Sequence, residues 1–297
     1  MGYLYLFIAL LAGLAKGFCG KTVSRDMQNF KECIFINLMR MMFCAAVGFL
    51  LASFNSGFSA FLIKAEELWV YLLAAVSMTA FCVCWMYAYQ NEAYMFLSIF
   101  TMLGTIVTCL LDYVLYSTPI RSAQWIGMFV LLSAVLVMSF YNKGIKGKLT
   151  GKGLFLLTLG SIGSAVADFS QKIYAREIGE SAQVFNFYMY AFGFLMLLVV
   201  YFMCLKKPGV AKMQKVLYGR KYMWIYFTMA FSLYLNSVTK TIAAQFLTSA
   251  QIYPVLQGAN LIASALMAHV LFKEKINAKA LLGMGIAFAG LMVMHFV

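Results

Sequence analysis

The segment ADFSQKIYAR, residues 167–176, sets Asp168, Gln171 and Lys172 at i, i+3 and i+4, which is one face of a helix. An acid four residues ahead of a lysine is the favoured order for an internal helix pair. The group is therefore either a silent ion pair or a contact for a solute or coupling ion. A second face is written in QIYPVLQGAN, residues 251–260, where Tyr253, Gln257 and Asn260 fall at i, i+4 and i+7. Pro254 lies in that stretch, removes a backbone donor and frees a carbonyl one turn earlier. In an apolar medium such breaks are tolerated where a cavity or a neighbouring helix supplies the missing bond. Lys16 and Arg40 each stand inside an apolar run. Arg40 is about 10 Å into its run at 1.5 Å per residue, so it either snorkels to an interface or faces inward. Two inward cations would attract a carboxylate or phosphate, and a guanidinium can bind either through two parallel bonds. Asn236 with Lys240, Tyr190 and Trp85 extend the same polar and aromatic lining.

These residue types suit binding better than catalysis. The chain has 2 histidines and neither H-E-x-x-H nor G-x-S-x-G, which argues against an intramembrane enzyme. It also lacks a G-x-x-x-x-G-K-[ST] loop, so any transport work would draw on a gradient or on exchange rather than a nucleotide. The 7 cysteines lie within or at the ends of apolar runs. Cys82 and Cys84 form C-x-C with no second Cys/His pair at metal spacing. The expectation is packing cysteines, no metal and no cofactor.

The elements that position these groups follow from composition. Of 297 residues, 64% are hydrophobic and 11% charged, with a mean hydropathy of +0.85. A soluble domain carries roughly a quarter charged residues, so lipid is the expected solvent. A span needs about 20 apolar residues. The charged clusters then divide the chain into ten spans near 3–20, 33–54, 68–89, 93–116, 122–141, 151–175, 182–204, 222–243, 248–272 and 278–296. Only YQNEAY, residues 89–94, separates the third from the fourth. The first run lacks a basic leader segment and a small-residue cleavage site, and reads as the first span rather than a secretory signal.

The net charge of +13 is distributed by loop, not gathered on a nucleic-acid face. Of the 23 Lys and Arg, 16 fall in connections after odd-numbered spans and 5 in those after even-numbered spans. That bias places the odd connections in the cytoplasm and both termini outside. The expected partners are a lipid bilayer, a small-molecule solute and a coupling ion or exchange solute, with no nucleic acid, as a monomer or homodimer.

The chain repeats itself. At an offset of 156, Val114/Val270, Leu115/Leu271, Ile120/Ile276, Gly127/Gly283, Met128/Met284, Val137/Val293 and Met138/Met294 coincide without a gap, with Tyr116 opposite Phe272. At an offset of 151, Gly20-Lys21-x3-Arg25 echoes Gln171-Lys172-x3-Arg176. The repeating unit is then five spans, and an odd number inverts the second copy. The expected fold class is an all-α integral membrane protein, ten transmembrane helices as a 5+5 inverted repeat. Residues 1–142 and 150–297 are the two repeats of one membrane domain, with a site between them near the bilayer midplane. Small residues at four-residue spacing (Ala9/Gly13/Gly17, Gly160/Ser164, Gly283/Ala287 and Gly285/Ala289) would let helix backbones approach closely.

The five-plus-five layout, the first span ending AKGFCGKTV and the tail LFKEKINAKALLGMGIAFAGLMVM together resemble the drug/metabolite transporter superfamily, in its ten-helix EamA-domain branch. Glu274 and Gly283 match that family's Phe-x-Glu and following glycine, and Arg40 stands where the family often has an arginine. The resemblance implies a secondary-active transporter of a small polar metabolite, amino-acid-like or anionic, working by alternating access in the plasma (inner) membrane of a bacterium. Alternatives within that class are an exporter of drugs or organic cations and a lipid flippase. Two departures stand out. Ser117-Thr118 replaces the glutamate in the first repeat, and the first span lacks the carboxylate that four-helix relatives use for proton coupling. The family is usually drawn with cytoplasmic termini, against the charge bias.

Overall fold

The computed structural model describes residues 1–91, 94–117, 119–142, 151–178, 181–205, 215–247, 249–273 and 278–296. Those residues form ten α-helices: α1 (Gly2–Ser24), α2 (Phe30–Ser56), α3 (Leu68–Asn91), α4 (Tyr94–Tyr116), α5 (Ser122–Asn142), α6 (Gly151–Ile173), α7 (Ala182–Leu205), α8 (Arg220–Ala243), α9 (Ser249–Val270) and α10 (Ala278–Phe296). Between the third and fourth spans, α3 is described to Asn91 and α4 from Tyr94. Among the described residues, five stretches are long and apolar enough to cross a membrane: Gly2–Ser24, Phe30–Ser56, Ala65–Ala88, Gly153–Ile178 and Ala182–Leu205. Shorter apolar stretches are Phe100–Tyr116, Ser122–Val137 and Leu281–Met294. Large apolar side chains such as Phe7, Phe129, Leu195, Phe202 and Leu266 point outward. In water they would form an adhesive patch; against lipid they are the expected surface.

The polar residues go the other way. α8 is the clearest case, burying Ser232, Asn236, Ser237, Thr239 and Thr241 while exposing Trp224, Phe227 and Phe231. Its buried groups find partners across the bundle. Asn236 donates to the Ala9 carbonyl of α1 at 2.6 Å, and Thr241 accepts from Asn186 of α7 at 3.0 Å. Local chemistry also sets helix starts. Asn29 caps α2 by accepting from the Glu32 N–H at 3.0 Å, and the Glu32 carboxylate accepts from the Gln28 N–H at 2.7 Å.

The pairing of helices obeys a two-fold rule. α1 packs along α8 and α3 along α6; α4 meets α6 and α9 meets α1; α2–α7, α5–α10 and α4–α9 are also neighbours. Exchanging the first five helices for the last five turns α1–α8 into α6–α3 and α4–α6 into α9–α1. The other three pairs map onto themselves. Even the backbone repeats: among the described residues, Ser117 and Lys273, 156 positions apart, are the two non-glycine residues with positive φ, at 50° and 54° in the turns leaving α4 and α9. The architecture is therefore a 5+5 inverted repeat. Helices α5 and α10 approach most closely at Gly127, where an added Cβ would lie 2.4 Å from Met294 Cγ and 2.7 Å from the Gly290 carbonyl.

One expectation about packing needs correction. Gly283 and Ala287 are buried, but Gly285 and Ala289 face outward, and a Cβ on Gly285 would meet nothing within 4 Å. The close-packed stripe on α10 instead runs through Gly290, because the 3.6-residue period carries the buried face from 283 to 287 to 290. Asp112, near the C-terminal end of α4, is buried as well.

Candidate functional site

A cavity of about 100 Å³ lies where both halves meet. α1 contributes Gly13 and Lys16, α3 Met78, Phe81 and Trp85, and α4 Thr101. α6 contributes Ser164 and Asp168, α8 Leu233, Asn236 and Lys240, and α9 Leu256, Gln257, Asn260 and Ser264. Helices related by the two-fold supply matching sets. Met78, Phe81 and Trp85 stand at i, i+3 and i+7 on α3, and Leu233, Asn236 and Lys240 at the same spacing on α8. Thr101 donates to the Gln257 side-chain oxygen at 3.2 Å, joining α4 to α9.

The two walls match in place and differ in chemistry. The α3 wall is aromatic, with the Phe81 and Trp85 ring centres 5.6 Å apart, and Trp85 rests against Gly160 of α6, where a Cβ would come within 3.2 Å of the indole. The α8 wall presents a carboxamide and an ammonium. Gly13 keeps the space beside them open: a Cβ there would lie 3.4 Å from Asn236 Nδ2 and 3.5 Å from Asn260 Oδ1.

Three charged side chains face the cavity. Lys240 is ion-paired with Asp168. Lys16, half-buried, has no hydrogen-bond or ion-pair partner among the described residues; its ammonium stands 5.7 Å from the centre of the Phe81 ring. Pairing cancels two of the charges, and one positive charge is left over. That balance, with three carboxamides and the hydroxyls of Thr101, Ser164 and Ser264, is suited to binding one anionic group through several hydrogen bonds.

Of the sequence candidates, Lys16, Trp85, Asp168, Asn236, Lys240, Gln257 and Asn260 line this cavity. The other five do not. Tyr253 is buried and donates to the Asp168 carbonyl at 3.1 Å, so it buttresses α6 rather than facing the solute. Pro254, beside it in α9, is also buried. Tyr190 is buried on α7 and shares a hydrogen bond with Ser237 behind the α8 wall. Gln171 is buried with its Nε2 unpartnered among the described residues. Arg40 is buried on α2, donates to the Asn37 side-chain oxygen and approaches the Met229 sulfur at 3.8 Å. It neither snorkels nor joins Lys16 at the cavity wall.

The i, i+4 pair expected within α6 does not form. Asp168 turns to Lys240 of α8, and Lys172 turns to Asp112 of α4. Spacing put the two residues on one face, but each found a partner on the helix packed against it. Thr101, Ser164 and Ser264 complete the polar lining. A threonine or serine in an apolar run carries no signal alone, and Thr101 could have been found only by its distance of 156 from Gln257. Glu274 lies outside the described residues.

Compared with known families, residues 2–140 and residues 151–296 each match the EamA-like transporter family. No curated protein matches the chain in sequence. A solved structure described as "Crystal structure of protein" is similar at a TM-score of 0.67 and 13% identity, over 98% of this chain and 95% of that one, a likeness of fold alone. Matched once by each half and over nearly its whole length, the chain belongs to the EamA-like transporter family.

Proposed function

We propose that this transporter carries a small, amino-acid-like solute with one carboxylate or comparable negative group, by secondary-active alternating access in a plasma membrane. The repeats 1–142 and 150–297 rock about the central cavity. The observation that carries this reading is the unpartnered Lys16 ammonium on the cavity wall, beside a neutralised Asp168–Lys240 pair. A cation without a counterion inside a membrane domain is costly, and an arriving anion relieves that cost. The aromatic Phe81–Trp85 wall suits an apolar body, while Asn236, Gln257 and Asn260 suit the polar groups opposite. The organic-cation alternative needs Asp168 available, and its pairing with Lys240 argues against that.

The test is counterflow in proteoliposomes with amino acids, small carboxylates, sugar phosphates and quaternary amines. Uptake of a carboxylated solute that falls by about tenfold or more in Lys16→Ala, a loss of some 1.4 kcal/mol, and recovers partly in Lys16→Arg is the expected result. Anion uptake indifferent to both substitutions, or uptake of quaternary amines alone, overturns the reading.

A further inference from the structure

The surroundings of Lys16 do not favour a permanent charge. α1 packs along α8, α9 and α3. α8 brings Lys240 to the cavity, α3 brings the buried Cys82 thiol, and α9 brings the uncharged Gln257, Asn260 and Ser264. Among the described residues, Arg40 of α2 and Asp168 of α6 complete the titratable groups that act on it. Two of these groups are cations, and the one carboxylate, Asp168, is already ion-paired with Lys240. The ring beside the ammonium is that of Phe81, 5.7 Å away at its centre. Nor does the second half repeat the group: at the 151-residue offset the counterpart of Lys16 is Ala167.

A lysine so placed is relieved in two ways. An anion arrives beside it, or the group gives its proton to water and becomes a neutral amine. The two ways fit the two legs of a transport cycle. Loaded, the cavity holds an ammonium and a carboxylate, which cancel. Empty, it must still pass through a state closed to both sides, where a lone charge is costly and an amine is not. Neither leg then carries the charge of Lys16 across alone. Each turnover moves one solute and one proton in the same direction. The proton is taken from water on the side of entry and returned to water on the side of release.

We propose that Lys16 is the proton carrier of a solute–proton symport, an ammonium when the cavity is loaded and an amine when it is empty. The proposal names the coupling ion of the site already described and rests on that carrier reading. Its test separates exchange from net uptake. Counterflow uses only loaded crossings, whereas net uptake also needs the empty carrier to return. The probes are radiolabelled L-alanine and N-acetylglycine, in proteoliposomes with the membrane potential held at zero and protein-free vesicles as the blank. For the parent chain, a pH gradient of one unit, alkaline inside, should drive accumulation toward about tenfold over the outside concentration. Lys16→Arg keeps a cation that cannot give up its proton. It should retain part of the counterflow, which shows that it folds, and lose the accumulation driven by the pH gradient. Parent accumulation that ignores the gradient, or accumulation in Lys16→Arg equal to the parent's, overturns the proton assignment. Counterflow of neither probe by the parent chain is a different failure, that of the carrier reading, and the assignment falls with it.

Discussion

Thr101 donates a hydrogen bond to Gln257, and the two residues are 156 positions apart, the distance at which the two halves repeat. The bond therefore joins a residue to its own counterpart, and it crosses the axis that relates the repeats. A group on that axis is shared by the walls that each half gives to the cavity. Gln257→Glu would place a carboxylate there and cancel the single positive charge left by Lys16, Lys240 and Asp168. Anion uptake should then fall by about tenfold or more, while Thr101→Ser, which keeps the hydroxyl, should leave it within about twofold. Initial rates of counterflow measure both, and uptake undisturbed by Gln257→Glu removes the axis from the solute's path.

Lys16 and Arg40 are both cations within apolar helices, and the structure separates their situations. Lys16 is on the cavity wall; Arg40 is buried against Asn37 and Met229 with its Nε unpartnered among the described residues. Lys16→Ala should raise KM for an anion and, by removing an uncompensated charge, leave thermal stability equal or higher. Arg40→Ala should do the reverse, lowering the melting temperature in detergent with KM held, since it leaves the Asn37 side-chain oxygen in a buried place without its donor at a cost of about 1–3 kcal/mol. A large KM effect from Arg40→Ala would return it to the solute site.

The helices were legible because lipid imposes a simple rule, about 20 apolar residues between charged clusters. The inverted repeat was legible for a different reason: turn residues and small residues must recur where backbones repeat, as at Gly127 and Ser117. Direction around a helix was legible only in part. Gln257 and Asn260 share a face and reach the cavity, but Tyr253, on the same stripe and one turn away, lies against α6. Partners across helices were hidden altogether. Nothing in the order of residues says that Asp168 prefers Lys240 to Lys172, because that choice is made by which helix packs against which.

Asp168→Asn isolates that choice. It strands Lys240, adds a second uncompensated cation to the cavity wall and should destabilise the fold by about 3–5 kcal/mol. The same extra charge should tighten anion binding by several-fold. The double variant Asp168→Asn/Lys240→Gln removes both charges together and should recover most of the stability. Melting temperatures with and without a saturating anion give both quantities. If the double variant is as unstable as the single, the pair is not what holds α6 to α8.

Two glycines in one fold offer a test of the packing itself. At Gly127 a Cβ would press on Met294 and on the Gly290 carbonyl, and backbone cannot yield as a flexible side chain does. At Gly285 a Cβ would meet nothing. Gly127→Ala should therefore cost about 1–3 kcal/mol through overpacking. Gly285→Ala should be neutral or stabilise by up to about 1 kcal/mol, the helix propensity gained over glycine. Thermal unfolding of the two variants side by side in one detergent reads the difference. Equal melting temperatures would mean that α5 and α10 do not meet at Gly127, and with that contact would go the two-fold pairing of the last helix in each half.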